Sequence, residues 1–548
     1  MTNSIEQRAH TATKGDMAFY ERISPVFCGK KFFIPPPSKT PDERIQQRLA
    51  WRNERSLYKR KSSLSGEDII SCFHADEPYP VYSRDEWWSD SWDALDYGRE
   101  FDASRPVFPQ FAELWRSVPR PPLVNNWAEN SAYCNFADRN RNCYLITSAN
   151  DNEDCCYSWC LVNCKNALDC TWTTDSELVY ECVDCRNCYD LRFSHYCESA
   201  SESAFLFDCR SVSHSLFCAG LRNKNNYLFN EPRTRAEIDA AYAALQGSRI
   251  RYEEAWQKFE KLKQELSPKR SRYILASDKV IGDHIFNSKN IHYGFDVYST
   301  EDSAYLHDGL NARNCRDICF FDGVELCYYS TSLIGYGYRF TNFCRNSSDL
   351  LYCDNCHSCE SCFGCAGLRN KHWCVLNRQY TKDSYERLCA RIISRMQQDG
   401  EWGEFFPAQM SPFAYNETIA QEYYPLSGSQ AAALGFRWRD EEDAASVRSC
   451  RSAPDSITEV DDVFIQEVLA CADCGGRYKI ILPELQFYRR MNLPIPGCCF
   501  KCRNKRRLAL RPRRKLAARS CAKCHAQVWT SIALEQVVCE TCYSLLTE

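Results

Sequence analysis

The chain has 548 residues, of which 44% are hydrophobic and 13% aromatic, values typical of a globular protein and not of a disordered one. Its formal net charge is -4, so no global field draws it to nucleic acid or to a membrane. No signal-like apolar segment and no run of 18 apolar residues occurs, so we expect a cytoplasmic protein that does not associate with membranes. In that reducing compartment, the 36 cysteines are expected to bind metal or to be buried as thiols.

Residues 1–125 are predicted to form a degenerate ribbon-like module followed by a Trp/acid-rich segment. Residues 44–60 match residues 503–519 at a shift of 459, which indicates that the two ends of the chain share one module. At this shift, Cys499, Cys502, Cys521 and Cys524 correspond to Thr40, Glu43, Ser62 and Ser65. The N-terminal copy has therefore lost its thiolates, and we predict that packing alone holds it without metal. The Trp-rich residues 86–101 are expected to cover the open end of the first repeat unit.

The middle of the chain is a duplicated repeat. CAGLRNK occurs at 218–224 and again at 365–371, and within each unit polar residues recur every twelve positions, as at Asn142, Asp154 and Asn166. Short Cys- and aromatic-rich stretches between Asn, Asp and Ser turns are typical of β-solenoid rungs. The sequence therefore predicts a mainly β protein with helical connectors, built on two tandem Cys-rich β-solenoid units at 126–231 and 284–380. Handedness and the number of residues per turn stay open.

Helical segments are predicted to follow each solenoid. Thr234 begins a Thr-x-x-Glu capping box, and residues 249–266 place Tyr252, Trp256, Phe259, Leu262 and Leu266 on one face. We expect a helical connector at 232–283 and a capping helix at 381–397. Residues 398–465 end in an acidic, Ser/Pro-containing stretch and are predicted to be a linker.

Five cysteines at three-residue spacing, Cys353, Cys356, Cys359, Cys362 and Cys365, end the second unit. In the first unit the same positions hold Leu206, Cys209, Val212, Ser215 and Cys218. Because Leu and Val can neither ligate a metal nor form a disulfide, cysteine here is interpreted as a small hydrophobic core residue. Metal ligation by these five thiols and disulfide formation are the alternatives.

Residues 466–548 carry four Cys-x-x-Cys pairs and are predicted to form a tandem zinc-ribbon module with about two structural zinc ions. A complete set of four thiolates leaves no coordination position for a catalytic water. The predicted ligands are Cys471, Cys474, Cys499, Cys502, Cys521, Cys524, Cys539 and Cys542.

The same module has ten basic and no acidic residues between positions 501 and 519. Such a stretch could contact phosphates, although it could equally be a solvated face or pair with acids elsewhere in the protein. The candidate nucleic-acid contacts are Lys501, Arg503, Lys505, Arg506, Arg507, Arg511, Arg513, Arg514, Lys515 and Arg519.

Several stretches, among them ELQFYRRMNLPIP, DSITEVDD and WGEFFPAQMSPFAYNETIAQEYYPL, make nearly the whole chain similar to a family of Cys-rich, zinc-ribbon-bearing repeat proteins encoded mostly by uncultivated small-genome bacteria. The resemblance implies the same architecture and, because the family has no established activity, little about function. Its members typically carry a Cys-Pro-x-Cys-Arg knuckle where this chain has TPDER (40–44).

Three functions agree with these features. The first is a non-enzymatic zinc-binding scaffold or adaptor that contacts a protein partner. The second is a nucleic-acid- or ribosome-associated binding protein that uses the Arg-rich modules. The third, a carbohydrate-active β-helix enzyme, would need catalytic acids, but Asp154, Asp169, Asp302, Asp308 and Asp317 follow the repeat and are interpreted as turn residues. No catalytic motif and no small-molecule substrate is identified, and sugar binding would involve Trp87 and Trp88.

Overall fold

The computed structural model describes residues 12–266, 270–440, 452–532 and 537–547. It is rich in β-sheet with helical connectors, as the sequence predicts, and most of its strands belong to two stacks of short parallel strands. We call residues 125–232 the first stack and residues 274–379 the second stack. None of the helices in the described ranges has the length and apolarity needed to cross a lipid bilayer.

In the first stack, strands pair in parallel with strands twelve residues further along, except for the antiparallel hairpin of its last two strands. Thr171 pairs with Val183, and Lys165 pairs with Glu177. The twelve-residue interval of the sequence is therefore the register of the sheet. The strands are Asn125–Asn126, Asn135–Asp138, Thr147–Asn150, Trp159–Val162, Lys165–Leu168, Thr171–Thr174, Glu177–Tyr180, Val183–Arg186, Tyr189–Arg192, Ser201–Phe207, Arg210–Ser213, Leu216–Ala219, Arg222–Asn225, Tyr227–Leu228 and Glu231–Pro232.

Nearly every third residue of the first stack lies in the left-handed region, so each twelve-residue coil has four corners. Asp154 has φ of 54° and Asp169 has φ of 55°, and the same conformation occurs in the second stack at Asp302, Asp308 and Asp317. Asn and Asp tolerate this conformation better than most residues. The five aspartates therefore lie at corners, as the repeat predicts, although Asp302, Asp308 and Asp317 belong to long strands of the second stack. Some corner side chains also form hydrogen bonds to the corner side chain of the next coil. Asn142, for example, donates a 3.0 Å hydrogen bond to Asp154.

The interior of both stacks is lined largely by cysteine. Cys155 and Cys356 are fully buried, and every cysteine of the described residues is a free thiol. Many core thiols donate to backbone carbonyls two residues before and nine residues after themselves, as Cys356 does to Asp354 at 3.5 Å and to Cys365 at 3.7 Å. Cysteine thus fills a narrow core and also adds a weak hydrogen bond to carbonyls that already accept from backbone amides. All five cysteines from Cys353 to Cys365 are buried in this core.

The second stack repeats the arrangement with longer strands. Two glycines mark places where the twelve-residue register shifts by one residue: Gly282 has φ of 151° and Gly335 has φ of 144°. At Gly282 an added Cβ would lie 1.8 Å from the Gly294 carbonyl oxygen, so only glycine fits. The strands are Ile274–Leu275, Asp278–Phe286, Lys289–Tyr298, Glu301–Arg313, Arg316–Glu325, Tyr328–Tyr336, Arg345–Leu351, Glu360–Phe363, Cys374–Val375 and Arg378–Gln379.

Helices close both stacks at the expected places. The Thr234 capping box forms with Glu237, and the helix Arg249–Leu266 packs Tyr252 and Phe259 on the first stack. The side chain of Leu266 lies outside the described residues. The other α-helices are Lys14–Ile23, Pro41–Leu49, Arg84–Trp88, Val107–Ser117, Arg235–Ala243, Lys382–Gln398, Ile419–Tyr423, Gly428–Ala433, Leu482–Arg490, Phe500–Ala509 and Glu540–Thr547.

Two expectations about packing are wrong. Residues 398–440 are not a linker: Phe405 is buried and stacks on Tyr329 of the second stack with ring centres 5.2 Å apart. Residues 441–451 of the predicted linker lie outside the described residues. The Trp-rich segment covers the second stack instead of the first, since Trp87 lies 5.5 Å from the His357 ring. Local sequence predicts an apolar cover but not which of two similar stacks it covers.

Candidate metal centres and arginine bridges

Four of the predicted zinc ligands, Cys471, Cys474, Cys499 and Cys502, form one cluster. Their sulfur atoms all lie within 4.8 Å of one another. A tight turn presents the first pair, and Cys499 caps the helix Phe500–Ala509 with Cys502 in its first turn. The cluster could hold one metal ion, and four cysteine sulfurs are a donor set that zinc takes in structural sites.

The second cluster consists of Cys521, Cys524, Cys539 and Cys542, whose sulfur atoms also lie within 4.8 Å of one another. The antiparallel strands Ala517–Ser520 and Gln527–Thr530 flank the first pair, and the second pair begins the last helix. All eight predicted ligands are thus brought together in two sets of four. Cys498, which directly precedes Cys499, is in neither set.

In each cluster, backbone amides donate to one sulfur and favour its thiolate form. Burial raises the pKa of Cys471, but the amides of Cys474 and Cys499 that donate to its sulfur outweigh burial and lower the pKa to about 6. Cys521 has the same arrangement with Cys524 and Cys539, and its pKa is also lowered to about 6. Both thiols therefore favour the thiolate form, which binds metal.

The N-terminal module reproduces one helix and one hairpin of the C-terminal module without the ligand cysteines. Its antiparallel strands Tyr58–Lys61 and Asp68–Ser71 and its helix Pro41–Leu49 lie at the positions that the 459-residue shift requires. Thr40 caps that helix and forms a capping box with Glu43, at the positions of Cys499 and Cys502.

In the N-terminal module, hydrogen-bonding side chains also stand at positions of the second four-cysteine cluster. Ser62, at the position of Cys521, donates to Glu86 at 2.5 Å. Burial opposes ionisation of Glu86, but hydrogen bonds from Ser62, Ser65 and Ser83 lower its pKa to about 2. The prediction that packing alone holds this module is therefore incomplete, because hydroxyls at the positions of lost thiolates also form hydrogen bonds to Glu43 and Glu86.

The arginines of the C-terminal module point into the two stacks. Arg503 and Arg507 donate to the two oxygens of Asp169 in the first stack, at 2.6 and 2.8 Å. Arg511 bridges Asp184 of the first stack at 2.9 Å and Asp296 of the second at 2.5 Å.

Arg514 completes this row by pairing with Asp296 at 2.8 Å and with Asp308. Burial opposes ionisation of Asp308 and raises its pKa to about 6, although Arg514 acts in the opposite direction. For Asp296, the charges of Arg511 and Arg514 outweigh burial and lower the pKa. The four arginines thus form a continuous bridge from one stack to the other.

The N-terminal module forms the corresponding bridge. Arg44 and Arg48 pair with Asp317 of the second stack, at 2.7 and 3.4 Å. Arg52 then donates to Ser332 of the second stack at 3.1 Å and to Ser148 of the first at 2.9 Å.

The two bridges are related by both duplications. Arg44 and Arg48 correspond to Arg503 and Arg507 at the 459-residue shift, and Asp317 corresponds to Asp169 at a shift of 148. The N-terminal module therefore clamps the second stack, and the C-terminal module clamps the first.

This arrangement corrects four candidate nucleic-acid contacts. Arg503, Arg507, Arg511 and Arg514 are ion-paired with acids of the stacks, and their side chains are at most 6% exposed. They cannot reach a phosphate backbone, because moving them would leave buried carboxylates unpaired. The six candidates that remain at least partly exposed are Lys501, Lys505, Arg506, Arg513, Lys515 and Arg519.

No protein-family model matches the chain, and no curated protein matches it. The functional assignment therefore rests on the residues of this chain.

Proposed function

We propose that the protein is a non-enzymatic zinc-binding scaffold or adaptor, in which two β-solenoids present a surface to a protein partner. One observation carries the proposal: the two modules that clamp the stacks use their arginines for internal bridges, and one module also has two complete four-cysteine clusters. Four thiolates fill the tetrahedral coordination of zinc, so the metals would stabilise and not catalyse.

The solenoid assignment is supported by the twelve-residue register and the four left-handed corners of each coil. In such an architecture each coil contacts mainly its neighbours, which gives an extended, regular surface suited to binding. The resemblance to zinc-ribbon-bearing repeat proteins fits this assignment.

Metal analysis tests the proposal directly. Purified protein should contain about two zinc ions per chain, and chelation should lower its thermal stability. Zinc contents near zero after purification without chelator, or contents of five or more, would contradict it. Affinity purification from native cells should then retain the same protein partner with and without nuclease.

A nucleic-acid-binding role keeps one supporting observation, the exposed basic residues of the helix Phe500–Ala509 and the loop after it. Replacing Lys501, Lys505 and Arg513 by Gln should then abolish a salt-dependent mobility shift with RNA or DNA. A scaffold that binds protein alone should show no shift even at low salt.

A further inference from the structure

A cavity of about 610 Å³ lies between the two stacks, outside the metal centres. Val162 of the first stack and Leu310 of the second line it, and they are 40% and 42% exposed, so the cavity opens to solvent. The two residues are equivalent at the 148-residue shift, which places the cavity where the duplicated halves face each other. Its volume falls within the roughly 300–1,000 Å³ that small-molecule sites occupy.

Aromatic rings from both stacks form much of the wall. Trp172 stacks with Tyr298 across the interface with ring centres 6.2 Å apart, and Tyr196 stacks with Tyr273 at 4.3 Å. The indole Nε1 of Trp172 is buried and has no hydrogen-bond acceptor within the described part of the chain. The wall thus offers flat π surfaces, and the Trp172 ring already holds one cation, since the guanidinium carbon of Arg511 lies 4.9 Å from its ring centre.

The two arginines near one end of the cavity share one carboxylate, which leaves one positive charge uncompensated. Arg186 and Arg210 share Glu198, with N–O distances of 2.5 and 3.8 Å. Asp184 and Asp308 also line the cavity, and Arg511 and Arg514 neutralise them from outside its lining. A polyanion would therefore meet one uncompensated charge from this arginine pair and that of Arg345, against three carboxylates elsewhere on the wall.

Three other carboxylates on the cavity wall form fewer polar contacts than Asp184 and Asp308. Asp138, Asp175 and Asp322 each accept a hydrogen bond at one oxygen from an asparagine of the preceding coil, at 2.7, 2.8 and 3.0 Å. None of the three forms an ion pair within the described ranges. Arg345 is the nearby cation: burial lowers its pKa, and the charges of Asp138 and Asp322 act in the opposite direction.

We propose that this cavity binds a planar aromatic organic cation. Flat rings would stack on Trp172 and its neighbours, and a positive charge would be attracted both by the ring faces and by Asp175 and Asp322. The inference goes beyond the scaffold role and does not depend on it, because the cavity shares no residue with the two four-cysteine clusters.

Thioflavin T, a flat cationic dye, is a suitable probe, with the anionic dye 1-anilinonaphthalene-8-sulfonate as its counterpart. Titration of the full zinc-loaded chain should show one saturable thioflavin T site per chain and weaker binding of the anionic dye. Stronger binding of the anionic dye, or no saturable thioflavin T binding, would overturn the proposal.

Paired variants locate the site. Trp172→Ala and Asp322→Asn should each weaken thioflavin T binding at least about fivefold, in line with a cation–π or charge contact. Asp302→Asn is the matched control, because Asp302 also accepts from an asparagine of the preceding coil, at 2.8 Å, but does not line the cavity. Equal affinities for the Asp322 and Asp302 variants would refute the assignment.

Zinc content measured on the same samples separates this proposal from the scaffold role. Two zinc ions with no dye binding would reject the cavity site alone, whereas dye binding without zinc would reject the zinc scaffold alone. Unchanged circular dichroism for Asp322→Asn would show that its weaker binding does not come from unfolding.

Discussion

The guanidinium of Arg507 donates a 2.8 Å hydrogen bond to Asp169, and the two side chains are 1% and 0% exposed although 338 positions separate them. The duplicated pair, Arg48 and Asp317, lies 3.4 Å apart and is just as deeply buried. A charge pair that is fully removed from water is costly to break, because the remaining partner stays buried and uncompensated. These pairs should therefore determine whether the modules stay docked on the stacks.

Replacing Asp169 by Ala should lower the free energy of unfolding by about 3–5 kcal/mol, because Arg503 and Arg507 would lose their shared carboxylate. Denaturant titration followed by tryptophan fluorescence measures this. Asp151→Ala is the control: Asp151 pairs with Arg139 at 2.6 Å but is 43% exposed, and its loss should cost less than about 1 kcal/mol. Similar costs for the two variants would mean that the buried bridge does not hold the module.

Replacing Cys474 by Ser should reduce the zinc content from about two ions per chain to about one, because three thiolates and a hydroxyl hold zinc poorly. Cys498→Ser is the matched control, since Cys498 lies beside a ligand but outside both clusters, and it should keep both ions. Mass spectrometry of the native protein measures the stoichiometry. Loss of zinc from the Cys498 variant would revise the ligand set.

The thiols of Cys353 to Cys365 should resist alkylation in the folded protein, because all five are buried and the reagent cannot reach them. Burial also raises the pKa of Cys356 and Cys365 well above the usual range. At Cys353 and Cys359, hydrogen bonds from neighbouring cysteines outweigh burial and lower the pKa, so the protection of these two depends on burial alone. Peptide mapping after brief iodoacetamide treatment should find these positions unmodified, while the exposed Cys28 is modified. Labelling of the five at the rate of Cys28 would show that this end of the stack is open.

Glu181 should make stability depend on pH. Burial raises its pKa from 4.5 to about 7, although Arg507 acts in the opposite direction. Between these values the folded protein retains a proton that the unfolded chain releases, so the contribution of Glu181 to stability falls as pH rises. Glu181→Gln should therefore gain stability relative to wild type from pH 4.5 to pH 8, by up to about 3 kcal/mol.

Glu153 serves as the control, because its pKa is shifted in the opposite direction. A hydrogen bond from Arg141 lowers the pKa of Glu153, so Glu153→Gln should lose stability relative to wild type as pH rises towards and above 4.5. Urea titrations at several pH values measure both variants. A Glu181 effect that is constant between pH 4.5 and pH 8 would rule out the raised pKa.

The sequence predicts local features of this molecule well. The twelve-residue step, the Thr234 capping box and the two sets of four cysteines all come from spacings within tens of residues, where repeat period and ligand geometry leave few choices. The corner role of Asp169 is also visible in the spacing. These features are set by neighbouring residues, so a single sequence contains them.

Docking between distant modules could not be predicted in the same way. The stretch around Arg507 has the charge of a nucleic-acid contact, and its partner Asp169 carries no local mark that distinguishes it from other corner aspartates. A signal did exist: Arg48 and Arg507 match at one shift, and Asp169 and Asp317 match at the other. One duplication preserves the arginine, and the other preserves the aspartate. Two opposite charges that are each preserved in this way indicate that they pair.

The left-handed corners have a consequence for how such a chain can change in length. No residue of the described ranges with positive φ is Val, Ile, Thr or Pro, because branching at Cβ or a closed ring conflicts with that conformation. A single inserted residue would shift the register of the following coils up to the next glycine. Val, Ile, Thr or Pro would then fall on corners. Deletion or duplication of a whole coil keeps every corner in place, so this protein should tolerate changes of twelve residues far better than changes of one.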